Sequence, residues 1–319
     1  METERPSPRY SKIDLWEPAE ILEAMIEGQF AAVAAVRAAR LAIEKAALAI
    51  VRKLSGGGRL IYVGAGTSGR LAVQDGAELV PTFSWPQDRL LLLIAGGRDA
   101  LLRAVEGAED QAAHATELIE RHKVGAADVV IAVAASGTTP FTVACLRSAK
   151  ENGALTIGVA NNRETPLLLE ADHAIFLDTG PEAIAGSTRM KAGTAQRIAL
   201  ILLSSLVMIL LGRVYEGLMV DVQASNKKLV RRSERILSRL SGRSSEEIHE
   251  ALQHAGGSVK LAFLLLQGYG LAEAEAALER SGGHLRRALA LAHDLCPDIL
   301  DLGKPGRSGA DVEKRSMHE

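Results

Sequence analysis

The chain has 319 residues, 47% hydrophobic and 24% charged, with 37 basic side chains against 39 acidic ones for a formal net charge of −2. That is the composition of a soluble globular protein long enough for one large domain or two smaller ones. Its near-neutral balance supplies no general field for nucleic acid or an anionic membrane, and aromatics at only 3% argue against the stacking platforms of single-strand binders.

The opening stretch METERPSPRYSKIDLW is polar, carries charges of both signs and lacks the apolar core of an export signal. Cys145 and Cys296 are the only thiols and fall in no CxxC or zinc spacing, so the expected setting is a reducing cytoplasm. Residues 16–54 carry Ala, Ile, Leu and Val at helical spacing, which predicts a helix or helix pair within an N-terminal helical segment, 1–54. From residue 59 the pattern changes to short apolar runs, RLIYVGAG, RLLLLIAGG, DVVIAVAASG, ALTIGVANN and HAIFLDTG, with helix-like segments at 99–120 and 140–152 among them. Runs apolar on both faces that alternate with helices predict an α/β fold, a five-stranded parallel sheet flanked by helices over 55–215.

After Gly186 the reading is wholly helical: 187–212, about 217–241, and three short amphipathic segments within 244–294, forming a C-terminal helical region, 216–302. The uncharged run 198–212 is fifteen residues long, short of the roughly 20 that span a membrane, and reads as a buried core helix. The segment GLAEAEAALERSGGHLRRALALA resembles a ubiquitin-associated three-helix bundle, read here as a packing subdomain without a ubiquitin role. The polar, Gly-rich stretch 303–319 is expected to be a flexible tail.

Three loops carry chemistry. Gly64-Ala65-Gly66-Thr67-Ser68-Gly69 follows one strand and opens a helix. It satisfies GxGxxG, but no acid closes the next strand to hold a ribose, and Arg70 stands where a Walker loop has lysine. What remains is a glycine turn with hydroxyls at a helix N-terminus, suited to a single phosphate or to no ligand at all. Ala135-Ser136-Gly137-Thr138-Thr139-Pro140 repeats the arrangement after a second strand, placing Gly66, Thr67, Ser68, Ser136 and Thr139 where open sheets bind ligands, although Ser136 and Thr139 can equally cap their helix. The third, Gly186-Ser187-Thr188-Arg189-Met190-Lys191, puts cations at the start of a helix, against the dipole. Either a bound anion reverses that penalty, with Ser187, Arg189 and Lys191 as contacts, or the cations pair with surface carboxylates.

Glu78, about two turns into the first loop's helix, and Glu109, on the next helix, are candidates for an acid–base pair, although spacing alone equally makes them solvent-facing helix residues. The eight histidines are scattered, and His249 and His254 stand five apart, about 140° around a helix, which excludes an HExxH zinc site. The basic stretch Lys227, Lys228, Arg231, Arg232, Arg235 reads as a solvated helix face.

The segments SGGGRLIYVGAGTSGRLAVQDGAE, AVEGAED, AASGTTP, GSTRMKAGTAQ and LMVDVQASNKKL, in this order, resemble the N-acetylmuramic acid 6-phosphate etherases, of the sugar isomerase (SIS) fold, from Thr3-Glu4 to the C-terminal helices. The resemblance implies cleavage of a lactyl ether on a 6-phosphorylated amino sugar by elimination and hydration, in cell-wall recycling, with no metal or redox cofactor. It implies Glu109 as base at C2, Glu78 as acid for the departing lactate, and phosphate against Ser68, Ser136 and Thr139. Departures from the family pattern are Thr138 for an arginine, Phe141 for a tyrosine, Val80 for a proline, and Ser7, Ile201 and Gly217 for asparagines. A non-catalytic phosphosugar sensor, like the related glucokinase regulatory protein, is the alternative. The apolar helix, together with the paired subunits of the family, predicts a homodimer with its active site at or near the interface.

Overall fold

The five apolar runs become, in the computed structural model, the strands β1 (Leu60–Gly64), β2 (Leu90–Ile94), β3 (Val129–Val133), β4 (Leu155–Ala160) and β5 (His173–Phe176). They form one sheet in the order β2-β1-β3-β4-β5, every pairing parallel. The structure describes residues 1–222 and 227–295; the tail 303–319 and Cys296 lie outside the described residues. Two compact units divide the chain, Met1–Gln223 and Ala224–Glu319.

Every residue of β1 and β3 is buried, which explains why their sequences show no polar alternation. Successive side chains still take opposite faces. Leu60, Tyr62, Val129 and Ile131 point into one core with α1 (Pro18–Ala38), α2 (Arg40–Ser55) and the apolar helix discussed below. Ile61, Val63, Val130 and Ala132 point into the other, with Ile119 and Leu146. The crossover helices are α3 (Gly66–Phe83), α4 (Ala112–Arg121), α5 (Pro140–Glu151) and the short α6 (Pro166–Glu170). The helical reading of 99–120 is corrected: Gly97–Leu101 and Ala108–Asp110 are single 3-10 turns, and only then does α4 begin. Gly107, at φ 68°, takes the left-handed conformation that ends helical continuity.

The apolar helix is α7 (Lys191–Leu210), starting four residues later than expected. It is long and apolar enough to cross a membrane by length and composition, yet it packs against α1, α2 and α3 and buries Gln196 and Ser204 in hydrogen bonds to Asn161 (2.9 Å) and Asp75 (3.1 Å). Only one face is covered. Ile201, Leu202 and Ile209 are exposed, as are Phe30 and Val33 of α1 and Leu48 of α2, so the core helix read from the sequence is buried on one side and left open on the other by this chain.

A hairpin of β6 (Val214–Tyr215) and β7 (Leu218–Met219) replaces the helix expected from about 217. Glu216 and Gly217 both have positive φ, 48° and 73°, the two-residue turn that favours glycine or asparagine at its second position. Gly217 thus satisfies the same backbone demand as the asparagine it replaces. The C-terminal unit is helical: α8 (Lys227–Ser241), α9 (Ser245–His254), α10 (Val259–Leu266), α11 (Leu271–Arg280) and α12 (Leu285–Leu295). Four helices, not three, occupy 244–294, because a stop at Gly256-Gly257 and a Ser258 cap accepting from the Leu261 amide separate α9 from α10.

One clasp ties the entrances of the two central strands. Arg59, just before β1, donates from Nε and a terminal nitrogen to the two carboxylate oxygens of Asp128 (3.0 and 2.7 Å), just before β3, while its backbone amide donates to the same carboxylate (3.1 Å). Burial works to raise the Asp128 pKa, but these bonds and the Gly125 amide (3.0 Å) win and hold it below the usual carboxylate value. A depressed folded pKa stabilises above the unfolded value, about 3.9, and the contribution disappears as pH falls through the lower folded value. Asp128→Asn should lower the unfolding free energy by about 1–3 kcal/mol at pH 7, with the difference from wild type shrinking in urea titrations as pH falls below the unfolded carboxylate value of about 3.9.

Candidate active site

β1 and β3 are neighbours whose crossovers leave in opposite directions, toward β2 on one side and β4 on the other. At such a point the loops after the strands diverge and open a crevice at the carboxyl edge of the sheet. A cavity of about 450 Å³ lies there, lined by Ala65 to Ser68, Ala134 to Ser136, Thr138 to Pro140, Glu109, Asp110, Glu4 and Thr188.

The first loop's glycines divide the work. A Cβ on Gly64 would meet the Gly69 Cα at 2.8 Å, so this pair lets α3 start flush against β1. Gly66, at φ +53° with open space where a side chain would stand, turns the backbone toward the cavity. Beyond it α3 begins with no side-chain cap, leaving first-turn amides, the donors an anion needs, beside the Thr67 and Ser68 hydroxyls.

The second loop is built similarly. Ser136 Oγ lies 3.2 Å from Thr139 Oγ1 and accepts from the Thr138 amide at 3.2 Å. Gly137 has φ +71°, and a Cβ there would meet Thr165 Oγ1 at 2.1 Å, so the loop is folded tightly onto the segment before α6. Thr139 is the N-cap residue of α5 but makes no side-chain cap, and Pro140 takes the first turn. The hydroxyls bond each other and leave the amides of α5 open.

The third segment differs. The buried carboxylate of Glu182 accepts from the Lys191 amide (3.2 Å) and the Ala192 amide (2.9 Å), so α7 is capped by the protein's own anion. Burial pushes the Glu182 pKa up against those bonds, while burial lowers that of Lys191 against the attraction of Glu182. The carboxylate opposite Lys191 is therefore an interior one, not a surface acid. Arg189 is exposed, and Ser187, Arg189 and Lys191 do not line the cavity; Thr188 does.

The two glutamates separate. Glu109 stands on the 3-10 turn before α4 and lines the cavity with Asp110. Glu78 is exposed on α3, outside the lining. Twelve residues past Gly66 is more than three turns, about 18 Å along the axis at 1.5 Å per residue, rather than the two turns expected. Neither its backbone position nor its reach brings it to the cavity of its own chain. Sequence reasoning missed Glu4, Asp110, Thr138 and Thr188 as lining residues. Asp110 adjoins Glu109 and Thr188 lies inside the third loop, so adjacency was a usable signal for those two; Glu4 is far away in sequence. Thr138, where the family pattern has arginine, is exposed on the cavity, whereas Phe141 is fully buried in the core and has no access to it.

Residues 42–150 match the N-terminal SIS domain of the glucokinase regulatory protein, and residues 111–206 match the SIS domain. With its parallel sheet and paired hydroxyl loops, the chain is an SIS-domain protein. An N-acetylmuramic acid 6-phosphate etherase of Deinococcus radiodurans is 50% identical over 90% of this chain and 94% of its own. One of Streptomyces avermitilis is 44% identical over 91% of this chain and 94% of its own. Among solved structures, a phosphoheptose isomerase of Francisella tularensis is 16% identical, covering 61% of this chain and all of its own, at a TM-score of 0.47. The chain belongs to the N-acetylmuramic acid 6-phosphate etherase family.

The self-capped start of α7 can be tested directly. Glu182→Gln weakens two amide bonds to a charged acceptor and leaves Lys191 without its counter-charge, so unfolding free energy should drop by about 1–3 kcal/mol. Urea denaturation would register this as a lower midpoint at unchanged slope.

Proposed function

We propose that this chain is a lyase that cleaves the D-lactyl ether of N-acetylmuramic acid 6-phosphate, giving N-acetylglucosamine 6-phosphate and D-lactate. The observation that carries the reading is the cavity itself: two uncapped helix N-termini with hydroxyls for a phosphate, and the Glu109 carboxylate among the residues that line it. Family membership selects the substrate.

The chemistry needs little beyond positioned acids and bases. Opening the sugar ring exposes an aldehyde at C1, which acidifies the C2 proton. Glu109 takes that proton, the C3–O bond breaks, and lactate leaves as its ether oxygen is protonated; water then adds across the double bond at C3. The base becomes the acid for the returning C2 proton, so protons balance over the cycle. Phosphate at Gly66, Thr67, Ser68, Ser136 and Thr139 would hold the ligand's far end. At Thr138 a neutral hydroxyl replaces a guanidinium, which predicts a weaker grip on that phosphate than relatives with arginine have.

Glu78 is proposed as the acid for lactate, acting from a second copy of the chain. Two observations support this. It lies about 18 Å along α3 from the cavity of its own subunit, and it stands one turn past Gln74, which is bonded to Arg197 of α7 at 2.5 Å. That helix carries the uncovered apolar face, where a groove of about 620 Å³ runs between α1, α2 and α7. A symmetric dimer through this face covers it and presents the exposed Glu78 to a partner. Ser187, Arg189 and Lys191, expected as anion contacts, lie outside the cavity lining and are given no ligand contact in this reading. A role in cell-wall amino sugar recycling follows from the substrate, and the unpaired, buried Cys145, its thiol pushed up to about 12 by burial, suits a cytoplasmic enzyme. The match to a regulatory protein's domain keeps a sensor as the second reading, but a sensor has no use for a base on the cavity wall.

Glu109→Gln should reduce turnover by about 10² to 10⁴ and abolish exchange of the C2 proton with solvent deuterium; Glu78→Gln should lose turnover and retain exchange. Mixing the two inactive variants after reversible dissociation should restore about a quarter of wild-type activity, since half the dimers are mixed and each regains one of two sites. No recovery on mixing would place both acids in one subunit and overturn the shared site.

A further inference from the structure

Thr3 is polar and nevertheless completely buried. Three hydrogen bonds converge on this one residue. The Thr3 amide donates to Asn162 Oδ1 (3.3 Å), Asn162 Nδ2 donates to Thr3 Oγ1 (2.9 Å), and the Gly186 amide donates to the Thr3 carbonyl (3.1 Å). Asn162 also donates to the carbonyl of Ala135 (2.9 Å), the residue before Ser136. The strap is therefore bonded to the loops that frame the cavity.

The next residue, Glu4, lines that cavity. Its carboxylate lies against the Cα of Gly186, where a Cβ would come within 2.7 Å of Glu4 Oε2. Gly186, at φ +77°, gives up its side chain in the space that the carboxylate uses. Among the described residues no protein donor bonds the Glu4 carboxylate, although its backbone is held.

An anion in a cavity that must accept a phosphate is a penalty unless the ligand repays it. A carboxylate only accepts hydrogen bonds, so it rejects phosphate and favours neutral donors. The cavity lining thus combines two helix N-termini and their hydroxyls with three carboxylates, Glu4, Glu109 and Asp110. We infer that Glu4 is a specificity-determining residue, accepting a hydrogen bond from a hydroxyl or acetamido N–H of the sugar, and that Thr3 and Asn162 are the positioning residues that hold it there. The inference rests on this cavity being the sugar-phosphate site.

Two probes separate the phosphate contacts from the sugar contacts: inorganic phosphate, which has no sugar donors, and N-acetylglucosamine 6-phosphate, which has both groups. In the full-length protein, Glu4→Gln should weaken binding of the sugar phosphate about tenfold or more, the scale of one charge-assisted hydrogen bond, and leave inorganic phosphate unchanged or tighter. Thr3→Val should shift the same ratio in the same direction by a smaller factor. Unchanged sugar-phosphate binding in Glu4→Gln would overturn the assignment, as would equal weakening of both probes, which reports only a disturbed cavity. Ser136→Ala provides the independent control. If it fails to weaken inorganic phosphate, the cavity is not the phosphate site and the role of Glu4 falls with it.

Discussion

Two parallel strands lying side by side, with their crossovers leaving in opposite directions, constrain everything that follows. Because β1 and β3 are adjacent, the helices that follow them, α3 and α5, begin at nearly the same place with their unpaired amides aimed at common ground. Neither start is capped by a side chain. The glycine pair at 64 and 69 and the folded turn at 137 permit this close approach, and the Arg59–Asp128 clasp fixes the opposite ends of the same two strands.

The remaining chemistry is distributed around that point by elements of quite different origin. Glu109 comes from a one-turn 3-10 segment before α4, and Glu4 from a strap bonded in place by Asn162. Glu78 stands well down α3, beside the helix that holds an uncovered apolar face. A single subunit therefore displays the proposed phosphate cradle, base and acceptor around one cavity, while the proposed second acid faces outward. An apolar surface next to an outward-facing catalytic candidate is what a shared site requires before its partner docks.

Much of this was legible in the sequence because the signals were local. The five strands are apolar on both faces, and the two hydroxyl loops follow strands directly, so the sheet and the phosphate end could be read from order and composition. Glu109 and Glu78 came from family motifs, but only Glu109 reaches the cavity; the motif carried identity without distance. The start of α7 could not be read, since its cap is Glu182, nine residues from Lys191 and joined to it only by the folding of the intervening loop. Glu4 was invisible for a stronger reason, as its placement depends on a contact between residues 3 and 162. The 214–219 hairpin was lost to a helical reading because four paired residues make too short a periodic signal.

The carboxylate at the start of α7 has one more consequence. Besides the starts of α3 and α5, a third helix, α7, begins just past Thr188 of the cavity lining, and there the anion position is filled by a tethered group, Glu182. Tethering gives that carboxylate an effective concentration with which a free ion competes poorly. The start of α7 is thereby unavailable as a second phosphate position, although it is a helix N-terminus like the other two.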